Sequence, residues 1–123
     1  MKTFVALVLA CMAFSGAAKA QMGAMPFAMY EGIRQGTNEE TKRIASGFLG
    51  GAMEAYVIAD SQVREAGESP LFCAPPKLGL TGGMAQSIVS RTSEELRSLG
   101  SNIDEVPVSY ILLIGLRSTF PCD

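Results

Sequence analysis

The sequence contains no histidine, and this absence narrows the chemistry that the protein can perform. Serine and cysteine nucleophiles are usually activated by a neighbouring histidine, which is also the commonest general base and a frequent zinc ligand. Most sites of those kinds are therefore excluded. We expect a protein that is not an enzyme and that carries no cofactor and no metal.

Positive charge is also scarce once the first residues are set aside. Residues 1–20 include Lys2 and Lys19 but no acid, so their removal changes the formal net charge from −2 to −4. Nucleic acids and anionic membranes attract basic surfaces, and an acidic chain is therefore expected to bind neither. A basic protein partner is compatible with this charge.

Long apolar runs are lacking as well, and the first residues have the pattern of an export signal. A lysine precedes the apolar run 4–10, and the small residues at 18–20 form an A-x-A cleavage site. The run is too short for a stable membrane span. The pattern predicts a cleaved signal peptide at 1–20, a single mature domain at 21–123 and a periplasmic location. A lipoprotein signal that retains Cys11 is the alternative interpretation.

Two cysteines, Cys73 and Cys122, remain after the predicted cleavage. In an oxidising compartment such a pair usually becomes a disulfide. The bond would close a loop of about 50 residues, which is worth roughly 4 kcal/mol in the chain-entropy model. The pair lacks the C-x-x-C spacing of redox-active cysteines, so we expect a structural bond.

Residues 37–65 have the periodicity of a long amphipathic helix, and Thr37 fits the first position of a capping box. Asp60 borders the apolar stripe, and we expect it to be half-buried, hydrogen-bonded and structural. The predicted stripe consists of Ile44, Phe48, Ala52, Tyr56, Ala59 and Val63, with Ala45, Leu49 and Ala55 beside it.

Three glycines, Gly47, Gly50 and Gly51, interrupt this helix. Each weakens a helix by up to about 1 kcal/mol relative to alanine. They either permit close contact with another helix or form a soft spot, and the sequence leaves both interpretations open.

A proline-rich loop at 68–76 separates the long helix from a second helix near Gly83–Leu99. Thr81 fits as its N-cap. The predicted apolar face of the second helix consists of Met84, Ile88, Val89, Leu96 and Leu99. The preceding run 79–83 could cradle an anion, but a turn and cap explains it better.

A third helix is predicted over 108–120, because Pro107 suits a first turn and the segment is apolar on nearly all sides. Composition alone would also allow a strand at Tyr110–Ile114. A short helical turn is expected around Phe27–Ile33, within a methionine-rich segment that could instead be a flexible leader. Met22, Met25 and Met29 in this segment could bind a soft metal, but an adaptable packing role explains them better. The chain is therefore predicted to be a small all-α domain of three to five helices with one disulfide.

Four sequence segments occur in an order that is characteristic of one protein family. They are the glycine-rich helix 47–56, Phe72-Cys73-x-Pro75, a helix with Gln86, and the terminal Phe120-Pro121-Cys122. In this order they resemble the Rap/Tai family of type VI secretion immunity proteins, over about residues 44–122.

The resemblance implies a small all-helical periplasmic protein, often a homodimer, that binds and blocks a peptidoglycan amidase toxin delivered by another cell. In that family the two cysteines of these motifs form a disulfide. Such an inhibitor needs only a surface that covers the toxin's catalytic groove. The alternative is a small disulfide-stapled periplasmic stress, chaperone or structural protein without a toxin partner.

The connection Ser101-Asn102-Ile103-Asp104-Glu105 is the candidate contact with a toxin. We expect a protruding acidic loop with Ile103 as its single apolar anchor, because a few residues usually contribute most of the affinity of an interface. Asp104 and Glu105 would steer a basic amidase towards it. An ordinary solvated turn, with its acids placed near the next helix N-terminus, is the other interpretation.

Overall fold

The computed structural model describes residues 24–123, which fold into four α-helices. They are α1 (Phe27–Gln35), α2 (Glu39–Glu65), α3 (Gly82–Ser98) and α4 (Val108–Thr119). Within this part of the chain there is no β-strand, and the only β-type pairing is an isolated antiparallel bridge between Pro26 and Pro107. The all-α prediction is confirmed, and the strand alternative for Tyr110–Ile114 is wrong. The predicted signal peptide at 1–20 and Cys11 lie outside the described residues.

A disulfide joins Cys73 to Cys122, as predicted, with a Cα–Cα distance of 5.1 Å. It connects the α2–α3 loop to the residues that follow α4. The backbone N–H of Cys73 also donates to the carbonyl of Phe120, over 2.8 Å. The two chain segments are thus paired by a backbone hydrogen bond as well as by the covalent bond.

Side-chain caps define where two of the helices begin. Thr81 Oγ1 accepts a hydrogen bond from the Met84 N–H (3.2 Å), which confirms Thr81 as the N-cap of α3. The capping box at Thr37 is wrong by one residue. Asn38 is the N-cap of α2, and its Oδ1 accepts from the N–H groups of Glu40 (2.9 Å) and Thr41 (3.2 Å). Asparagine is at least as good an N-cap as threonine, so the local sequence is compatible with a helix start at either Thr37 or Asn38.

Two glycines with positive φ end the longer helices. Gly67 (φ 74°) follows α2 and Gly100 (φ 81°) follows α3. After α3, the Gly100 N–H donates to Arg97 O (2.9 Å) and the Ser101 N–H donates to Leu96 O (3.0 Å). This pair of bonds is a Schellman motif, which turns the chain sharply away from the helix axis.

The core lies where α3 and α4 cross, and α4 contributes Ile111, Leu112 and Leu116, all fully buried. Gly115 makes this close approach possible. A Cβ atom at that position would lie within 3.0 Å of the side chains of Ile88 and Thr92 on α3.

The buried face of α2 differs from the predicted stripe. Ile44 is 61 % exposed, whereas Ala45, Leu49 and Met53 are at most 2 % exposed. The buried face is therefore turned by about one residue, or roughly 100°. The reason is tertiary: α1 and α3 cover this side of α2. Phe48, Ala52 and Tyr56 are half-buried at its edge.

The glycines of α2 contribute little to this packing. A Cβ atom on Gly47, Gly50 or Gly51 would meet no atom within 4 Å. Gly50 alone lies near another helix, since a Cβ on Gly82 would be 3.7 Å from the Gly50 Cα. The interpretation that all three permit close helix contact is therefore wrong for Gly47 and Gly51 within this chain.

Candidate interaction site

The connection between α3 and α4 lies against the start of the described chain. The Ala28 N–H donates to Asp104 O (3.0 Å), and the Phe27 N–H donates to Val106 O (2.9 Å). Asn102 Oδ1 accepts from the Asp104 N–H (3.2 Å) and closes a tight local turn. The end of the connection is therefore anchored to α1, which contradicts the expected protruding loop.

The expected apolar anchor, Ile103, is buried. It is 2 % exposed and belongs to the hydrophobic core. The expectation that it enters a partner is wrong, because burial of its side chain stabilises the connection and leaves nothing for a partner to contact. The other predicted contact residues, Ser101, Asn102, Asp104 and Glu105, are exposed.

An exposed apolar side chain does occur beside the connection, at a position where the sequence pattern predicted a core residue. Leu99, the C-cap of α3, is 80 % exposed, more than any other large apolar side chain in residues 24–123. The Schellman turn at Gly100 begins directly after it, so Leu99 points outward while Ile103 is directed inward. The signal that could have shown this is the glycine at C′ of a helix.

Arg97 fixes the position of this site through three interactions. Its guanidinium forms a two-pronged ion pair with Glu31 on α1, with N–O distances of 3.1 and 2.8 Å. It also contacts Asp104 Oδ1 at 3.4 Å, and its Cζ lies 5.0 Å from the centroid of the Phe27 ring. The hydrogen bond from Arg97 lowers the pKa of Glu31, although burial opposes this.

We define the Leu99 surface as Leu99 together with the exposed residues Ser101, Asn102, Asp104 and Glu105. It combines one exposed leucine with two carboxylates and two neutral polar side chains. Its backbone is fixed by the Schellman motif and by the hydrogen bonds to α1. A partner could therefore bind it without first ordering the segment, which reduces the entropic cost of association.

A second network lies beneath the disulfide. Asp60 is 8 % exposed, and its Oδ1 accepts from the N–H groups of Leu71 (2.6 Å) and Phe72 (3.4 Å). Arg64 donates from Nε to Asp60 Oδ2 (2.6 Å) and from Nη2 to Phe72 O (2.7 Å). Burial raises the pKa of Asp60, but the hydrogen bonds from these groups outweigh it and lower the pKa overall. The expected hydrogen bonding of Asp60 is confirmed, and its side chain is buried rather than half-buried.

The surface of residues 24–123 includes three cavities that bear on a binding site. The largest, about 880 Å³, lies between α2 and the segment 72–80 and includes the exposed apolar side chains of Val57, Ile58 and Leu78. Two smaller ones, about 330 and 260 Å³, lie along α1 and share Tyr30, Arg34 and Gln86. No group of three possible metal-binding acids or cysteines occurs among residues 24–123. In the same range, no helix is long and apolar enough to cross a membrane.

Comparison of the chain with protein-family models, with curated proteins and with solved structures finds no match.

Proposed function

We propose that this protein is a periplasmic immunity protein that binds and blocks a type VI secreted peptidoglycan amidase. One observation carries the proposal. The two most specific pieces of the resemblance, Phe72-Cys73-x-Pro75 and Phe120-Pro121-Cys122, are joined by the Cys73–Cys122 bond and by the Cys73–Phe120 backbone hydrogen bond. Two segments that are distant in sequence thus form one structural unit, which is the pairing that the resemblance implies for these two motifs.

The Leu99 surface supports the proposal as a contact site. Leu99 is an apolar anchor of the kind that contributes most to an interface when a partner encloses it. The exposed carboxylates of Asp104 and Glu105 lie next to it and would accelerate the approach of a basic enzyme. The site works by covering a groove, so it requires no reactive group of its own.

The direct test identifies the protein encoded beside this gene and, where that protein is a peptidoglycan amidase, measures its inhibition. The purified, disulfide-bonded protein is mixed with that amidase, and hydrolysis of peptidoglycan is followed with and without it. We expect loss of hydrolysis at a one-to-one ratio. A neighbouring gene product that is not an amidase, or an amidase whose activity is unchanged, would contradict the proposal.

A matched pair of leucine variants tests the contact surface. Leu99→Ser should weaken amidase binding by about tenfold or more, since anchor residues are commonly worth more than 1.4 kcal/mol. Leu78→Ser removes the same side chain from a separate exposed position, where Leu78 is 39 % exposed, and should leave binding unchanged. Equal effects of the two substitutions would exclude the Leu99 surface.

The alternative, a periplasmic chaperone or stress protein, is favoured by the large apolar groove between α2 and segment 72–80. Exposed apolar surface of this kind often marks a site that binds other apolar groups. The same variants separate the two functions. A chaperone should suppress aggregation of an unfolding client at low pH, and Leu78→Ser should impair this activity whereas Leu99→Ser should not.

A further inference from the structure

The smaller of the two cavities along α1 has an unusual lining. It encloses about 260 Å³ between α1, α2 and α3, and no carboxylate is among the described residues that line it. None of those residues belongs to the Leu99 surface. They are Tyr30, Arg34, Lys42, Arg43, Ala45, Ser46 and Gln86. Three of the seven are cationic in a protein whose net charge is negative.

The two arginines of this pocket have no hydrogen-bond or ion-pair partner in the described part of the chain. Within residues 24–123, neither Arg34 nor Arg43 forms a side-chain hydrogen bond or an ion pair, whereas Arg64, Arg91 and Arg97 all do. Lys42, in contrast, is bound to Glu39 at 2.9 Å. Arg34 and Arg43 therefore both line one cavity, and neither guanidinium is held by a hydrogen bond or an ion pair within the described chain.

The neutral groups of the pocket are also hydrogen-bond donors. Gln86 Nε2 donates to Ser46 Oγ over 2.6 Å, which leaves the Ser46 hydroxyl hydrogen available. Tyr30 is 3 % exposed, yet its hydroxyl forms no hydrogen bond with another residue of the described chain. Burial raises the pKa of Tyr30, and the nearby Arg34 opposes this, so the hydroxyl remains protonated and able to donate at neutral pH.

We propose that this pocket binds an oxyanion group, a phosphate or a carboxylate, of a small ligand. The group lies between the Arg34 and Arg43 guanidinium groups, and the hydroxyls of Tyr30 and Ser46 donate to it. Guanidinium forks match the geometry of both oxyanions and bind them through paired, charge-assisted hydrogen bonds. This function goes beyond toxin binding, which uses a different surface.

The size of the pocket supports one group of a ligand rather than an entire drug-sized molecule, which usually needs about 300–1,000 Å³. The adjoining cavity of about 330 Å³ shares Tyr30, Arg34 and Gln86, so the remainder of the ligand can continue into it. That cavity is lined by Arg97, by the carboxylates of Glu31 and Glu94, by serine hydroxyls, and by Phe27 and Val89, so it suits a polar body with both hydrogen-bond donors and acceptors.

The test is a titration of the purified, disulfide-bonded protein with inorganic phosphate and, separately, with succinate, at constant ionic strength. Binding is followed by NMR through the amide signals of α1 and α2 and the Nε–H signals of the arginines. We expect saturable shifts centred on Arg34 and Arg43 with at least one anion. The anion that binds more tightly identifies the oxyanion class. An absence of saturable binding by both anions would overturn the proposal.

Charge-removing variants provide the control. Arg34→Gln and Arg43→Gln should each weaken binding by about tenfold, which corresponds to roughly 1.4 kcal/mol. Arg117→Gln removes the same charge from an exposed position on α4 and should leave affinity unchanged. Equal weakening by all three substitutions would mean that the anion responds only to overall charge, and the pocket would be rejected. Tyr30→Phe, which keeps the ring and removes the hydroxyl, should weaken binding without changing the circular dichroism spectrum.

Discussion

The Nε atom of Arg64 lies 2.6 Å from Oδ2 of Asp60, one helical turn away on α2, and each residue also binds the loop that carries Cys73. Asp60 accepts from the N–H groups of Leu71 and Phe72, and Arg64 donates to the Phe72 carbonyl. The ion pair therefore connects the long helix to the disulfide loop. These bonds satisfy the buried carboxylate of Asp60, whereas the Arg64 side chain is partly exposed to solvent.

Replacement of Asp60 by asparagine should lower the free energy of unfolding by about 2–3 kcal/mol at pH 7, since hydrogen bonds to a charged group are lost. The folded-state pKa of Asp60 is lowered, so its contribution is complete above the unfolded pKa of about 3.9 and is lost as the pH falls through the folded value. Urea unfolding of the wild type and Asp60→Asn should converge at low pH. Glu54→Gln, at an exposed position of the same helix, serves as the control; a constant gap at every pH would contradict this account.

The disulfide should contribute a large part of the stability of this small domain. The double variant Cys73→Ser, Cys122→Ser should lower the free energy of unfolding by roughly 4 kcal/mol, because the unfolded chain regains the freedom of a long loop. Urea unfolding of this variant and of the reduced wild type should give similar values. A loss below about 1 kcal/mol would show that Asp60 and Arg64 organise the loop without the bond.

Replacement of glycine by alanine should change the stability of the fold in opposite directions in two of the helices. Gly115→Ala should destabilise the fold by about 1–3 kcal/mol, because the new methyl group overlaps Ile88 and Thr92. Gly51→Ala should stabilise it by about 0.5–1 kcal/mol, since the added methyl group meets open space on an exposed helix face. Thermal unfolding of both variants measures the contrast. A destabilising Gly51→Ala would indicate that this face of α2 is covered in solution.

Thr92 has the only fully buried side-chain nitrogen or oxygen in residues 24–123 without a hydrogen-bond partner, its Oγ1. Replacement by valine keeps the shape of the side chain and removes the unsatisfied hydroxyl. The free energy of unfolding should rise by about 1 kcal/mol, within the range assigned to a buried unsatisfied polar group. Denaturant unfolding at constant m-value is the measurement, and a marked loss of stability would show that the hydroxyl is paired in solution.

Substitution of Ile103 should lower stability, whereas substitution of Leu99 should affect partner binding and leave stability nearly unchanged. Ile103→Ala should lower the free energy of unfolding by about 2–5 kcal/mol, as expected for a fully buried isoleucine. Leu99→Ser should change it by less than about 0.5 kcal/mol, because the side chain is exposed. Melting temperatures of the two variants test this prediction. Similar stability of both would mean that Ile103 is not a core residue.

The sequence predicted the helices well because their signals are local. Periodicity located α2 and α3, Pro107 and the apolar run located α4, and Thr81 marked the start of α3. The capping box was misplaced by one residue, since Thr37 and Asn38 are both competent N-caps and only the backbone conformation distinguishes them.

Contacts between distant residues were much less predictable. The Arg34–Arg43 pocket also depends on Gln86, which is more than 40 positions away along the chain, and no spacing rule connects such residues. The sequence predicted a buried Leu99 and an exposed Ile103, which is the reverse of the structure, because both are apolar residues next to a helix end. The direction of the Schellman turn at Gly100 determines which of them faces solvent.

By itself, the sequence determined that the described chain forms mainly helices and that Cys73 pairs with Cys122. Helix periodicity and turn residues are local signals, and these two cysteines have no competitor within residues 24–123. Only the tertiary structure decided which side of α2 is buried. That helix has apolar or small residues on more than one side, and burial of any one of these sides would remove apolar surface from water. The packing of α1 and α3 selected the side with Ala45, Leu49 and Met53, and left Ile44 and Ile58 exposed.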